Sequence, residues 1–337
     1  MKTLVTGGAG FIGSHLVDAL VAMGHKVCVL DNLTRGRKEF IQTLLSSQQG
    51  EFIQGDVRDI KIVKKAMEGA TVVFHLAAQS NVLGAVANFE YSVSTNVAGT
   101  LNVLKSAREA GVQRVVFTSS REVYGEPLQL PVDETQPLRA KNAYGASKIA
   151  GEAYCNVFMD RSMEVPILRL TNVYGPRDSD RVIPIFIRRG LQGQSLTLYG
   201  GDQVIDFIWV GQVVQALLAA GLKADWPVEQ PVNVGSGVGT SIRELAEKIL
   251  KVTQARVRIK VVAPRAPEVI RFVADNSRLR MLTQLTDASD PLLNLPAVAD
   301  YWKSYLGMEF DRPRRKAYAR ALDIKTSDHV STSVEVS

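Results

Sequence analysis

Cysteine, histidine and long apolar segments are all scarce in this 337-residue sequence. Cys28 and Cys155 lie far apart without a C-x-x-C spacing, so we interpret both as buried thiols of a reducing, cytoplasmic compartment. The four histidines form no cluster with metal-ligand spacing, and we expect no metal site. No apolar run is long enough to span a bilayer, and glycines follow the first apolar segment at once. We therefore expect neither a membrane-spanning helix nor a signal peptide.

Charge is only mildly unbalanced, with 40 Lys and Arg residues against 34 Asp and Glu residues. Part of this excess lies in residues 309–320, which contain five basic and two acidic side chains. Such a segment is typical of a solvated arm, and we expect neither a nucleic-acid nor a membrane partner. Because 46% of the residues are hydrophobic and 22% are charged, a chain of this length can bury a core without disulfides.

Short apolar runs alternate with longer amphipathic stretches through the first half of the chain. The runs predict strands buried on both faces, because such strands are almost continuously apolar. The predicted strands are 3–6, 27–30, 52–54, 72–76, 115–118 and 167–170, and the predicted helices are 12–23, 60–67, 97–110 and 144–159. This alternation indicates an α/β fold, a Rossmann-type doubly wound parallel sheet covered by helices on both faces.

The pattern becomes looser after residue 175. It predicts helices at 182–191 and 210–220, strands at 232–234 and 257–262, and a helix that begins with a capping box formed by Ser241 and Glu244. We interpret this part as a smaller mixed α/β substrate lobe, whose early segments interleave with the main sheet. Residues from 326 onward are rich in Ser, Thr and Val without periodicity, which predicts a disordered tail.

A glycine-rich turn follows the first predicted strand and precedes the first predicted helix. Gly7, Gly10 and Gly13 form a G-x-x-G-x-x-G pattern that encloses Phe11 and Ile12. Glycines at these positions permit a tight turn and let a pyrophosphate approach the helix N-terminus closely. The turn therefore predicts a dinucleotide site, although a glycine turn by itself can also be purely structural.

Acidic residues follow the second and third predicted strands. Asp31 lies 18 positions after Gly13, where a carboxylate can accept both ribose hydroxyls of an adenosine and repel a 2′-phosphate. This position favours NAD over NADP, while the nearby Arg35 and Arg37 leave a phosphate-neutralising role open. Asp56 follows the third strand and is expected to reach the adenine.

Tyr144 and Lys148 are four residues apart on a predicted helix and therefore share one face. A tyrosine has a pKa of about 10 and is a poor base at neutral pH. A neighbouring ammonium and a positively charged nicotinamide ring would favour its phenolate form. Ser120 follows the fifth predicted strand at its carboxyl end, where open α/β sheets bind ligands. We expect Ser120 to bind a substrate oxygen beside Tyr144.

These motifs together resemble the extended short-chain dehydrogenase/reductase family, in its nucleotide-sugar epimerase/dehydratase branch, and are most similar to those of UDP-glucose 4-epimerases. The resemblance runs from residue 1 to about 275 and includes the stretches 169–176, 206–210 and 233–237. It implies residues 1–175 as an NAD-binding Rossmann domain, 176–308 as a nucleotide-sugar-binding lobe, and 309–337 as a basic arm and tail. It also implies a transient 4-keto sugar, with Tyr144 taking the hydroxyl proton, Lys148 lowering the tyrosine pKa and NAD acting as a bound catalyst.

The resemblance further implies the residues of the cofactor and substrate sites. For NAD these are Gly7, Gly10, Phe11, Ile12, Gly13, Asp31, Asn32, Asp56, Val57, Leu76, Ala77, Ala78, Asn96, Tyr144 and Lys148. For the nucleotide sugar they are Ser120, Asn172, Arg265 and Arg271. A guanidinium such as that of Arg265 suits a diphosphate because it is always charged and binds bidentately. Where the family often has a further arginine this chain has Ile205, and Arg271 or Arg181 is the expected substitute.

Glu122 leaves the reaction type open. The 4,6-dehydratases and sugar-acid decarboxylases of the branch tend to have a glutamate at this position, whereas in dehydratases an aspartate acid precedes it. Here the preceding residue is Arg121, which cannot donate a proton at neutral pH. We therefore favour a UDP-sugar 4-epimerase with Glu122 as a catalytic candidate or a partner of Arg121. A dehydratase, a UDP-glucuronate-type decarboxylase and a non-catalytic NAD-binding sensor remain alternatives. The resemblance also implies a homodimer formed through helices 97–110 and 144–159.

Overall fold

The computed structural model describes residues 1–80, 82–264, 269–283, 285 and 290–307, with only the backbone of residues 83 and 86. The predicted phosphate ligand Arg265 and the basic arm and tail at 309–337 lie outside the described residues. Within the described part of the chain, no helix combines the length and the apolar character needed to cross a bilayer.

The secondary structure alternates between strands and helices as far as residue 170. The strands are β1 (Lys2–Thr6), β2 (Lys26–Asp31), β3 (Gly50–Gln54), β4 (Val72–His75), β5 (Arg114–Ser120), β6 (Ile167–Leu170), β7 (Asn172–Tyr174), β8 (Leu196–Tyr199), β9 (Val204–Trp209), β10 (Val232–Val234), β11 (Gly239–Ser241), β12 (Ile259–Val262) and β13 (Arg271–Phe272). The helices are α1 (Phe11–Ala22), α2 (Gln42–Leu45), α3 (Ile60–Met67), α4 (Val82–Ala87), α5 (Phe89–Val93), α6 (Gly99–Glu109), α7 (Ala143–Phe158), α8 (Val182–Leu191), α9 (Val210–Leu222), α10 (Ile242–Thr253), α11 (Ser277–Thr283) and α12 (Leu295–Tyr305).

The main sheet has seven strands in the order β10-β6-β5-β4-β1-β2-β3. All of its neighbouring strands run parallel. The strand order reverses direction between β1 and β4. The carboxyl ends of these two central strands therefore form a topological switch point, where open α/β sheets bind ligands. The predicted fold class, a doubly wound parallel sheet, is therefore confirmed.

Two apolar layers hold the main sheet. Successive side chains along a strand point to opposite faces, so Val5 packs in a cluster with α1 and α9 while Leu4 packs in a second cluster with α3 and α6. Every residue of the central strand β5 is buried. Burial on both faces explains why the strands of this sheet are continuously apolar rather than alternating.

Later segments of the chain return to the main sheet. Strand β10 pairs with β6 at its edge, and α9 packs on α1 and on β4 and β5. The remaining strands form a small mixed sheet around β9 and a two-stranded parallel sheet of β8 and β12. At the start of α10, Ser241 and Glu244 form the predicted reciprocal capping box. Strand β7 pairs with β9, and α8 packs on α10 and α12, so both belong to the smaller lobe.

Candidate active site

A cavity of about 720 Å³ lies at the carboxyl ends of β1, β4 and β5, between the main sheet and the smaller lobe. Residues from both sides line it. The lining includes most residues that the sequence predicts for cofactor and substrate: Gly7, Gly10, Phe11, Ile12, Gly13, Asp31, Asn32, Asp56, Val57, Leu76, Ala77, Ala78, Ser120, Glu122, Tyr144, Lys148 and Asn172. Residues more than 160 positions apart in the chain therefore share one cavity.

The glycine turn leaves space at the N-terminus of α1. Gly7 has a positive φ of 70°, and a Cβ there would lie 2.7 Å from the backbone N of Ala77. A Cβ on Gly13 would lie 2.2 Å from the carbonyl oxygen of Gly7. No side chain of the described residues caps the first turn of α1, and that turn contains no acidic residue. Its N–H groups and the positive end of the helix therefore fit a pyrophosphate.

The Asp31 carboxylate lies at the end of β2 and is tied to the glycine turn. Its Oδ2 accepts from the backbone N of Ala9 at 3.0 Å, and its Oδ1 accepts from the backbone N of Leu33 at 2.8 Å. Burial raises the pKa of Asp31, and these two N–H groups oppose that effect by lowering it. The carboxylate is thus held rigidly at the cavity wall, with acceptor capacity left for a hydroxyl group.

Asn32 and Asp56 extend this wall. The Asn32 amide donates to Oδ2 of Asp56 at 2.8 Å, and Arg58 forms an ion pair with the same oxygen at 2.8 Å. The hydrogen bond from Arg58 is the main reason that the pKa of Asp56 falls to about 2. Asp56 is therefore ionised at neutral pH and lines the cavity beside Asn32.

Asn96 occupies a different position from the one that the sequence predicts. Among the described residues it does not line the cavity. Its Oδ1 accepts from the backbone N of Gln79 at 2.7 Å, and its Nδ2 donates to the Gln79 carbonyl and to Oγ of Ser147 at 2.9 Å. Asn96 thereby joins the segment after β4 to helix α7, which places it behind the residues that line the cavity.

Tyr144 and Lys148 project from α7 into this same cavity. Asn142 caps the helix by accepting from the backbone N of Gly145 at 2.9 Å, one turn before Lys148. Tyr144 and Ser120 are both buried, and both line this cavity. The phenol and the serine at the end of β5 therefore face the same space as the glycine turn.

The pKa of Tyr144 depends on its burial and on the charges around it. Burial raises the pKa of Tyr144 to about 12, and the charge that most opposes this rise is that of Arg181. Lys148 instead donates from Nζ to the carbonyl oxygen of Thr118 at 2.8 Å, and burial lowers its pKa to about 8. The role of Lys148 in lowering the tyrosine pKa stays a prediction: its ammonium is directed at the backbone of β5 and lies 5.9 Å from the centroid of the Tyr144 ring.

Both carboxylate oxygens of Glu122 have protein partners. Oε1 forms an ion pair with Arg121 at 2.9 Å, and Oε2 accepts from Nδ2 of Asn142 at 2.7 Å. Arg121 also lies over the ring of Phe272, 5.5 Å from its centroid. Glu122 lines the cavity, but these contacts bind it to the start of α7 and to the smaller lobe. Its arrangement matches the alternative in which it is a partner of Arg121.

Of the substrate residues that the sequence predicts, some line the cavity and others do not. Asn172 lines the cavity, and its Oδ1 is buried without a partner among the described residues. Ile205 also lines it, whereas Arg271 is exposed and does not. Asp178 was not predicted, yet it is fully buried and accepts from Arg181 at 3.0 Å. The run of charged residues before α8 was the only available signal for it.

The sequence matches the family model described as "NAD dependent epimerase/dehydratase family" over residues 3–235. The chain belongs to this family. It is an enzyme with NAD as its cofactor, and the glycine turn and the α1 N-terminus fit that dinucleotide. The resemblance drawn from the sequence motifs is therefore confirmed, as is the predicted cofactor.

Relatives with several activities are similar to this chain. It is 38% identical over 288 residues to the UDP-glucose 4-epimerase of Mycolicibacterium smegmatis, covering 83% of this chain and 91% of that one. A Methanocaldococcus jannaschii protein that bears the same name provisionally is 41% identical over 287 residues, with the same coverage of 83% and 91%. UDP-glucuronic acid decarboxylase 1 of Arabidopsis thaliana is 34% identical over 270 residues, which cover 77% of this chain and 60% of that one.

The solved structures that are similar to this chain also include enzymes with different activities. The Thermotoga maritima UDP-glucose 4-epimerase with UDP-glucose superposes with a TM-score of 0.84 and 30% identity, covering 91% of this chain and all of that one. The Thermus thermophilus UDP-glucose 4-epimerase in complex with NAD has a TM-score of 0.81 and 33% identity, with 90% and 99% coverage. A dTDP-glucose 4,6-dehydratase of Streptomyces venezuelae has a TM-score of 0.84 and 29% identity, with 91% and 98% coverage. The comparisons thus establish the family but include both epimerases and dehydratases.

Proposed function

We propose that this protein is a UDP-sugar 4-epimerase. The observation that carries the proposal is that Ser120, Tyr144 and Lys148 line the same cavity as the glycine turn. The names of the 4-epimerase relatives support the choice of a UDP-sugar. When bound, NAD would supply the acceptor for the hydride of the sugar carbon C4. Tyr144 then accepts the proton of the sugar 4-hydroxyl as the 4-keto sugar forms, and it returns the proton after the keto sugar has turned over.

The other residues of the proposed site position the sugar and the Tyr144 hydroxyl. Ser120 donates to or accepts from the same sugar oxygen, and the Lys148 ammonium holds the end of β5 through Thr118. Burial raises the pKa of Tyr144 to about 12, so its hydroxyl is protonated at neutral pH and accepts a proton only when nearby cations favour the phenolate. Arg181 is one such cation, and a bound nicotinamide ring would be another. Asn172, with its unpartnered Oδ1, is proposed to contact the nucleotide sugar.

The partners of Glu122 favour epimerisation over the two alternatives. Removal of a C5 proton or assistance to decarboxylation would require a carboxylate that is free to face the sugar. Arg121 and Asn142 occupy the two oxygens of Glu122 instead. The arginine also stands where a dehydratase needs an acid, and a guanidinium cannot supply a proton at neutral pH. Glu122 is therefore proposed as a residue that joins the Ser120 loop to α7.

The reaction is tested by following UDP-glucose and UDP-galactose by NMR with the purified protein and no added NAD. Interconversion of the two sugars is expected, because the cofactor remains bound and returns to its oxidised state in each cycle. A 4-keto-6-deoxy product would instead identify a dehydratase, and carbon dioxide released from UDP-glucuronate would identify a decarboxylase. Bound NAD with no change in any nucleotide sugar would favour the sensor and contradict the proposal.

Replacing Asp31 with alanine is expected to weaken NAD binding by about ten- to a hundred-fold, the effect of losing hydrogen bonds to a charged acceptor. The affinity for a UDP-sugar should change little, because Asp31 lies at the end of β2 on the dinucleotide side. Titration calorimetry with NAD, NADP and UDP separates these effects. Asp202→Ala, at a side chain 91% exposed and outside the cavity lining, is the control. Equal NAD affinity in wild type and Asp31→Ala would refute the ribose-binding role.

We propose that the protein forms a homodimer through the α6 and α7 faces. Val157 is 72% exposed and Tyr154 is 36% exposed on α7, which leaves apolar surface on a helix that also positions the catalytic candidates. Light scattering at increasing protein concentration measures the molar mass and decides between monomer and dimer.

A cytoplasmic location stays a prediction, supported by the free and buried thiols of Cys28 and Cys155.

A further inference from the structure

The side chain of Arg35 connects three segments that are distant in the sequence. One terminal nitrogen of its guanidinium donates to Oγ of Ser80 at 2.6 Å. The other donates to both carboxylate oxygens of Asp180, each at 2.6 Å. Arg35 follows β2, Ser80 follows β4, and Asp180 precedes α8. Because its two terminal nitrogens have different partners, Arg35 is held in one position by the other two side chains.

All three residues line the cavity that contains the glycine turn and Tyr144. Arg35 and Asp180 are 38% and 37% exposed, so their ion pair lies where the cavity opens to solvent. Arg35 and Ser80 belong to loops of the main sheet, whereas Asp180 belongs to the segment that leads into the smaller lobe. The contact therefore spans the opening between the two walls of the proposed cofactor site.

We propose that Arg35, Ser80 and Asp180 form a clasp that closes the cofactor cleft and slows the release of NAD between turnovers. This inference rests on the proposed function, in which NAD returns to its starting state and has no need to leave. An enzyme that exchanges its cofactor in every cycle would gain nothing from such a contact. The clasp opens when the ion pair breaks, and salt should promote that step because the pair is partly exposed to solvent.

A direct contact between Arg35 and the cofactor phosphates would leave a different signature. In that case Asp180 competes with the phosphates for the guanidinium, and removing its charge would slow the release of NAD or leave it unchanged. In the clasp, Arg35 and Asp180 are equal partners, and loss of either charge speeds release. Asp180→Asn therefore separates the two roles, because it keeps the size of the side chain and removes only the charge.

The experiment measures the rate at which NADH leaves the loaded enzyme, from its fluorescence after mixing with excess NAD. Arg35→Met and Asp180→Asn are each expected to release NADH about five-fold faster than wild type, as suits a partly exposed ion pair. Added salt should speed release from wild type and have little effect on either variant. Asp290→Asn is the matched control, since it breaks the Lys248–Asp290 pair of 2.7 Å and similar exposure outside the cavity lining.

Unchanged release in both clasp variants would overturn the proposal, and so would faster release in Arg35→Met alone. Thermal unfolding of each variant shows whether the fold is kept. The release rate does not depend on turnover, so its outcome is separate from that of the NMR test. A protein without epimerase activity could still release NADH faster when the clasp is broken, and an active epimerase could show no effect of the clasp.

Discussion

Replacing Tyr144 with phenylalanine is expected to lower kcat by about a hundred- to ten-thousand-fold, because a positioned acid or base contributes roughly 10²–10⁴ in rate. The substitution removes only the hydroxyl, and the ring remains at the start of α7. Binding of NAD should therefore persist. The measurement pairs the NMR rate of UDP-galactose conversion with the amount of NAD that stays bound to the purified protein.

Tyr154→Phe is the control for this substitution, because Tyr154 lies on the same helix but is 36% exposed and outside the cavity lining. It should keep the wild-type rate. Ser120→Ala is expected to lower kcat less than Tyr144→Phe does, since Ser120 orients the sugar oxygen without taking its proton. Undiminished turnover in Tyr144→Phe would show that another group accepts the proton.

Replacing Glu152 with leucine is expected to reduce the free energy of unfolding by about 3–5 kcal/mol, the usual effect of leaving one member of a buried ion pair alone. Glu152 accepts from Nε and a terminal nitrogen of Arg169 at 3.0 and 2.7 Å, and from Oγ of Ser119. Burial opposes the charge of Arg169, yet the hydrogen bonds and charge of Glu152 raise the pKa of Arg169 overall. Without Glu152 this guanidinium stays charged inside the protein.

Urea unfolding measures this effect, with Glu109→Leu as the control. Glu109 forms an ion pair with Lys64 of similar length, 2.7 Å, but both side chains are more than half exposed. Its loss should change stability by less than about 1 kcal/mol. The double variant Glu152→Leu/Arg169→Leu should recover much of the lost stability, because no unpaired charge remains. Equal stability of Glu152→Leu and wild type would show that water reaches Arg169.

Much of the main sheet could be predicted from the sequence because local pattern and final environment agree there. The predicted strand 115–118 lies within β5, and the predicted helix 144–159 matches α7 to within one residue at each end. In the smaller lobe the agreement is weaker. The predicted strand at 257–262 is confined to Ile259–Val262, and β8 was not predicted. These short strands are only partly buried, so their apolar pattern is incomplete.

Residues of the candidate site could be predicted where the local backbone or a fixed spacing requires a particular residue type. The turn at Gly7 needs a residue without Cβ, and Asp31 stands at a fixed spacing after it. Contacts between distant segments had no such signal. The sequence could not show that Asn96 supports Gln79 and Ser147 instead of lining the cavity, because those partners lie 17 and 51 positions away.

The amino-acid sequence by itself determined the family, the cofactor and the parallel sheet, because each follows from residue types at short, regular spacings along the chain. Only the tertiary structure decided which partner each charged side chain of the site has. In the structure Lys148 donates to the backbone of β5, and Arg35 pairs with Asp180 across the cleft. Glu122 contacts Arg121 with one carboxylate oxygen and Asn142 with the other. The pairing of a charge depends on which walls meet in space and how much water they exclude, and neither is encoded in local spacing.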